Sequence, residues 1–167
     1  EWLKIAEEAG RLGVVFLSSP FSIKACEILQ ACDVPAWKIA SGELENLPML
    51  DYIGTTNLPV LLSTGLASWD EITEARSFFT DKECVLFQCT TQYPSQPETW
   101  GLNNVDEFIE RFPDCVIGLS DHSGEIFPSI AAYARGARVF EVHVAWSKAM
   151  FGPDSTASLD FSQLNEL

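Results

Sequence analysis

Short apolar runs recur along this chain at near-regular spacing, and that repeat restricts the possible folds more than any other feature. They are Val14–Leu17, Ala36–Ala40, Val60–Leu62, Cys84–Cys89, Val116–Leu119 and Val139–Val144. Each has the length of a buried strand and most are rich in β-branched residues. Stretches of helical period separate them. Trp2, Ile5, Ala9 and Leu12 form one stripe, and Val105, Phe108, Ile109 and Phe112 form another. Ser68 followed by Glu71 reads as a capping box opening a helix that buries Ile72, Ala75 and Phe79. Gly136 closes a helix carrying Ile126 and Ile130. Strand and helix in alternation predict parallel pairing through right-handed crossovers.

Two α/β architectures meet that description, a doubly wound open sheet and a (β/α)8 barrel. No G-x-G-x-x-G string follows the first run, which weakens the dinucleotide-binding version of the open sheet. The polar residues favour the barrel, because they gather at the ends of the runs. They are Ser18–Ser19, Ser41–Gly42–Glu43, Ser63–Thr64, Thr90–Thr91, Ser120–Asp121–His122, and Glu141 with His143. A site assembled from many consecutive strand ends is the barrel's habit. Six strands cannot close an eight-stranded barrel. The expectation is therefore a partial (β/α)8 TIM barrel over residues 1–167, with strands three to eight present and the first two missing.

The charge balance narrows the partners. The 167 residues carry 24 acidic and 10 basic side chains, a formal charge of −14. Such a surface repels phosphate backbones, so nucleic acid is not expected as a partner. A few inward-facing cations can still make a cleft attractive to a small anion. No stretch is long and apolar enough to suggest a membrane span. The cysteines, Cys26, Cys32, Cys84, Cys89 and Cys115, are odd in number and lack CxxC spacing. Reduced thiols in a cytoplasmic protein are the expectation.

His122 and His143 are the only histidines, and they stand at the ends of successive strands. Neighbouring strand ends in a barrel lie close enough for both imidazoles to reach one ion. The bland alternative is a pair of hydrogen-bonded core histidines. Asp121 and Glu141 are available as further ligands or as partners that orient the rings. Two nitrogens with oxygen donors suit a divalent metal and leave positions open for substrate. Lys38 lies inside an apolar run, where a lysine is rare unless it holds an anion. Ser41, Ser63 and Ser120 end three strands and can donate to the same anion, although a lone serine there is more often a turn or cap. Glu43 is a candidate acid or base, or an exposed loop carboxylate. The segment from Tyr93 to Gly101 is long for a strand-to-helix connection and reads as a binding loop. A second turn, Phe151-Gly152-Pro153-Asp154, places Asp154 near His143.

These strings together resemble the sialic acid synthase (N-acetylneuraminate synthase) family. The matching pieces are Phe16-Leu-Ser-Ser-Pro-Phe21, Lys38-Ile-Ala-Ser-Gly-Glu43, Leu62-Ser-Thr-Gly65, Tyr93-Pro94, Gly118-Leu-Ser-Asp-His122, Glu141-Val-His143 and Gly152-Pro-Asp154. The resemblance implies a catalytic barrel that condenses phosphoenolpyruvate with an N-acyl hexosamine of the N-acetylmannosamine type and releases phosphate. It implies that His122 and His143 hold the divalent metal, Mn2+ or Mg2+. It further implies that Lys38, Ser41, Ser63 and Ser120 bind phosphoenolpyruvate, with Ser19 near its carboxylate. Glu43, Tyr93 and Asp154 match positions facing the amino sugar, and Glu43, Lys38, His122 and His143 are the implied catalytic set. By the same likeness a homodimer is expected at full length. The first two β/α units and a C-terminal antifreeze-like domain lie outside this stretch, so the fragment alone is expected to be inactive. Alternatives are a legionaminic or pseudaminic acid synthase, a metal-dependent hydrolase with more metal ligands, or a truncated chain without catalysis.

Overall fold

The structure, a computed structural model, describes all residues from Glu1 to Leu167. Two compact units divide the chain. The first is Glu1–Leu62 with Ala67–Cys84, and the second is Ser63–Leu66 with Val85–Leu167.

The first unit holds helices α1 (Trp2–Arg11), α2 (Ile23–Gln30), α3 (Leu47–Gly54) and α4 (Trp69–Ser77), with strands β1 (Trp37–Ile39) and β2 (Val60–Ser63). β1 pairs with β2 in parallel, Lys38 opposite Leu61. Trp37, Ile39, Met49, Leu50, Ile53 and Val60 are wholly buried. The Trp37 indole donates to Thr56 Oγ1 at 2.8 Å, so the largest apolar side chain here is also satisfied. The helix starts follow from short polar side chains. Ser22 accepts from the Ala25 amide, and Ser68 with Glu71 forms the expected capping box over buried Ile72, Ala75 and Phe79.

One expected strand is absent. Val14–Leu17 forms no ladder, and Val14 and Val15 are exposed. β-propensity describes a fit to a pleated, half-buried surface, and this run meets no such surface in the first unit. The stripe on α1 does form a helix, but no residue of α1 is buried.

The second unit contains β3 (Cys84–Cys89) except for its first residue, α5 (Asn103–Arg111), β4 (Val116–Asp121), α6 (Phe127–Ala134), β5 (Val139–Val144), β6 (Ser158–Leu159) and α7 (Phe161–Glu166). β3 pairs with β4, β4 with β5 and β5 with β6, all in parallel and in chain order. Gly118 is required where β4 passes Phe87. A side chain there would come within 2.5 Å of the Val139 carbonyl and 2.7 Å of the Phe87 ring. On α5, Val105 and Phe108 are buried while Ile109 is exposed; on α6, Ile130 is likewise exposed.

The fold class is the expected one, α/β with six parallel strands as part of a β/α barrel. Its membership differs from the reading of the runs. Val14–Leu17 drops out, and Ser158–Leu159, too short and polar to signal itself, provides the sixth strand. No helix is long and apolar enough to cross a membrane. All five cysteines are free thiols, and burial pushes the Cys26 thiol up to about 11.

Candidate functional site

In the second unit, chemistry collects just beyond the carboxyl ends of the strands. His122 follows the last residue of β4, His143 lies near the end of β5, and the segment after β3 carries Tyr93. Parallel pairing of neighbouring strands brings these ends side by side. The His122 and His143 ring centroids are 5.3 Å apart at 60°. Tyr93 stacks on His122 at 4.1 Å and meets His143 edge-on at 5.7 Å.

The ring of His122 is held at both nitrogens. Nδ1 lies 2.8 Å from the Thr90 carbonyl oxygen, and Nε2 lies 3.2 Å from Tyr93 Oη. A carbonyl can only accept, so Nδ1 carries the proton and Nε2 of the neutral ring bears the lone pair. Two further shifts agree with that assignment. Burial lowers the His122 pKa, with the Thr90 bond opposing it, which favours the neutral ring. Burial raises the Tyr93 pKa, aided by Cys89, Asp154 and Glu141, so its hydroxyl keeps its proton and donates to Nε2. The backbone joins in: the Ser95 amide donates to the His122 carbonyl at 2.9 Å.

The remaining expected residues of this unit are placed unequally. Asp154 Oδ2 stands 4.0 Å from His143 Nδ1, so Asp154 joins the cluster at its exposed edge. Ser120 and Glu141 are register partners on β4 and β5, and the Ser120 hydroxyl donates to Glu141 at 2.7 Å. That hydroxyl has one proton, so it must turn away from Glu141 before it can donate to an anion. Ser63 is buried at the end of β2. Asp121 does not orient an imidazole. Its carboxylate accepts from the Ser123 amide and hydroxyl at 3.1 and 2.7 Å, closing its own turn, while burial raises its pKa.

In the first unit, Lys38 is buried on β1, as a lysine inside an apolar run must be, and Nζ reaches the Ile39 carbonyl at 3.4 Å. Ser41 and Glu43 form a single 3-10 turn directly after β1. Glu43 accepts from Asn46 Nδ2 at 2.7 Å, so it is a held carboxylate and not a free loop charge. Ser19 is half-buried and lines a cavity of about 280 Å3 with Trp2, Phe21, Ile28 and Leu29, mainly apolar walls.

The donor set can be weighed for a metal. His122 presents an unprotonated Nε2 beside the second imidazole, the form a metal requires. No group of three or more His, Cys, Asp or Glu side chains is placed to hold an ion. A bound divalent ion would thus take two imidazoles and complete its shell with oxygens of water or substrate, once the Tyr93 hydroxyl yields Nε2. The residues fit that minimal arrangement.

Two contributors leave no signal in the sequence: the Thr90 carbonyl and the Ser95 amide. Both are backbone groups, of a kind that nearly every residue possesses.

Parallel β/α units with ionisable side chains gathered beyond successive strand ends are the architecture of the β/α-barrel enzymes. Within that class the chain belongs to the NeuB family, whose model matches residues 1–167. It is 36% identical over 164 residues to N,N'-diacetyllegionaminic acid synthase of Campylobacter jejuni, covering 95% of this chain and 49% of the relative. It is 34% identical over 170 residues to N-acetylneuraminate-9-phosphate synthase of Homo sapiens, covering 100% and 47%. The crystal structure of N-acetylneuraminic acid synthetase from Leptospira borgpetersenii, solved with citrate, matches with a TM-score of 0.94 at 28% identity, over 99% of this chain and 58% of that one. The chain spans about half the length of the curated relatives it matches.

Proposed function

We propose that the protein containing this chain is a sugar-acid synthase, condensing phosphoenolpyruvate with an N-acyl hexosamine of the N-acetylmannosamine type to a nonulosonic acid. The new bond joins the enol carbon to the sugar's aldehyde carbon. Water adds at the carbon that bears the phosphate ester, the aldehyde oxygen takes up a proton, and phosphate leaves by cleavage of the bond between that carbon and the ester oxygen, leaving a ketone. The observation that carries this reading is the His122 ring, whose unprotonated Nε2 faces the Tyr93 hydroxyl beside His143 at the strand ends. Family membership and the synthase names of the relatives support it.

Each residue has a role in the proposal. His122 and His143 hold Mn2+ or Mg2+, which when bound supplies Lewis-acid polarisation of a carbonyl. Lys38 offers a buried cation, and Ser41, Ser63 and Ser120 offer hydroxyls, to the phosphate and carboxylate of phosphoenolpyruvate, with Ser19 near the carboxylate. Tyr93, Asp154 and Glu43 face the amino sugar, Glu43 placing a hydroxyl or moving a proton. The full-length protein acts as a cytoplasmic homodimer, and the stretch 1–167 alone does not turn over.

The test is phosphate release by the full-length protein given phosphoenolpyruvate, Mn2+ and one of three sugars: N-acetylmannosamine or the diacetamido trideoxyhexoses leading to legionaminic or pseudaminic acid. The expected result is sugar-dependent phosphate release, largest with N-acetylmannosamine. A larger rate with a diacetamido sugar would reassign the acceptor. Phosphoenolpyruvate consumption that ignores every sugar would overturn the reaction class.

A further inference from the structure

A buried amide lies behind the histidine cluster and is not part of it. Gln88, on β3, is 5% exposed. Its Nε2 donates to the Trp100 carbonyl at 3.3 Å and to Thr90 Oγ1 at 3.4 Å, and its Oε1 accepts from Asn104 Nδ2 at 3.2 Å. Gly101 is shaped around this amide. Its φ is +65°, and an added Cβ would collide with Gln88 Nε2. Thr90 then passes the anchoring on in two directions. Its hydroxyl donates to the Thr99 carbonyl at 2.7 Å, closing the 90–102 loop that carries Tyr93. Its carbonyl is the acceptor for His122 Nδ1. The Gln88 amide nitrogen is thus spent on the frame that orients one imidazole, while its oxygen anchors the amide to α5, in a buried place where losing a partner is costly.

We propose that Gln88 is a positioning residue, whose amide fixes Thr90 and the 90–102 loop so that the Thr90 carbonyl holds His122 with its proton on Nδ1 and its lone pair on Nε2. The metal arm of the test rests on the function proposed above; the tautomer arm does not.

Three variants of the full-length protein decide it. Gln88→Leu removes all three bonds at nearly constant size. Thr90→Val removes the hydroxyl but keeps the carbonyl, and serves where Gln88→Leu folds poorly. Of the three Gln88 bonds, Asn104→Ala cuts only the one toward α5, together with the exposed Asn103–Asn104 bond, and controls for general loss of stability. The first readout is the ring-nitrogen spectrum of His122 in metal-free protein, by long-range proton–nitrogen correlation, with His122→Ala supplying the assignment. The second is Mn2+ affinity by electron paramagnetic resonance. Gln88→Leu and Thr90→Val are expected to populate the other tautomer, and Gln88→Leu to weaken Mn2+ binding about tenfold or more, the scale of losing an outer partner of a ligand. Asn104→Ala is expected to keep the wild-type ring spectrum and affinity. A wild-type His122 spectrum in both Gln88→Leu and Thr90→Val overturns the proposal, as does an Asn104→Ala effect equal to that of Gln88→Leu. If the wild type binds no Mn2+, the metal reading fails while the ring spectra still decide the role of Gln88.

Discussion

Two connections, one after β3 and one after β5, each deliver a side chain to the same cluster, and they are built in opposite ways. The 90–102 loop is tied internally by its own side chains. Thr99 Oγ1 donates to Gln92 at 2.7 Å and accepts from the Gln96 amide, Thr90 bonds Thr99, and Gln88 bonds Trp100. The 145–157 connection is held by backbone turns, with Ala145 to Leu159, Met150 to Ser147 and Ala157 to Asp154. Side chains add mostly outward ties: Lys148 donates to the Gly124 carbonyl at 2.5 Å and to Glu125 at 3.4 Å, the Ser158 hydroxyl donates to the Asp154 carbonyl at 2.8 Å, and within the loop the Ser147 hydroxyl accepts from the Ala149 amide at 3.2 Å. Phe151 is fully exposed and Trp146 largely so, its ring meeting Phe161 edge-on. One loop is preorganised around an imidazole; the other keeps apolar side chains in water and few internal constraints. Precise placement matters most where a lone pair must be aimed, and least where a surface receives a variable group.

Substitutions can break that contrast, and the largest effect belongs to the tied loop. Gly101→Val puts a β-branched residue into a left-handed backbone and drives it into Gln88, at an expected cost of about 3 kcal/mol in urea unfolding. A cost below about 1 kcal/mol would show that the loop yields easily, ending the claim that it is preorganised. His122→Ala should lower Mn2+ affinity by more than the roughly 10–100-fold of an outer-partner loss, while circular dichroism shows the fold intact. Undiminished affinity would remove the ligand assignment. Thr99→Val deletes the hydroxyl that links Gln92 and Gln96, for an expected loss of about 1–2 kcal/mol and faster proteolysis within 90–102. Phe151→Ser, at a side chain in full contact with water, should change stability by no more than about 0.5 kcal/mol. A larger loss would mean that the second connection is braced after all, and the two loops would not differ in kind.

The same contrast explains what could be read in advance. The run Cys84–Cys89 announces a strand because burial on both faces demands mainly apolar character, and Val139–Val144 announces one by its β-branched and aromatic residues although none of them is fully buried. Val14–Leu17 has that character without the neighbours, and Ser158–Leu159 has the neighbours without the character. The histidines were legible because only two exist and both end strands. Their neighbours were not. Asp121 adjoins His122 in the chain, but its carboxylate is taken by the Ser123 amide and hydroxyl in the turn after β4, and a backbone carbonyl takes the imidazole. Gln88 is not legible either, because a glutamine in an apolar run gives no sign of what it will reach.

Composition and order alone determined the alternation of strand and helix, the parallel class and the residue types at the strand ends, because these depend on local burial pattern and on side-chain chemistry. Tertiary structure alone decided which runs found a ladder, which nitrogen of His122 carries the proton, and that the Ser120 hydroxyl is committed to Glu141. Those outcomes depend on directed bonds between groups distant in sequence, and a hydrogen bond has a partner and an angle only once the chain has folded.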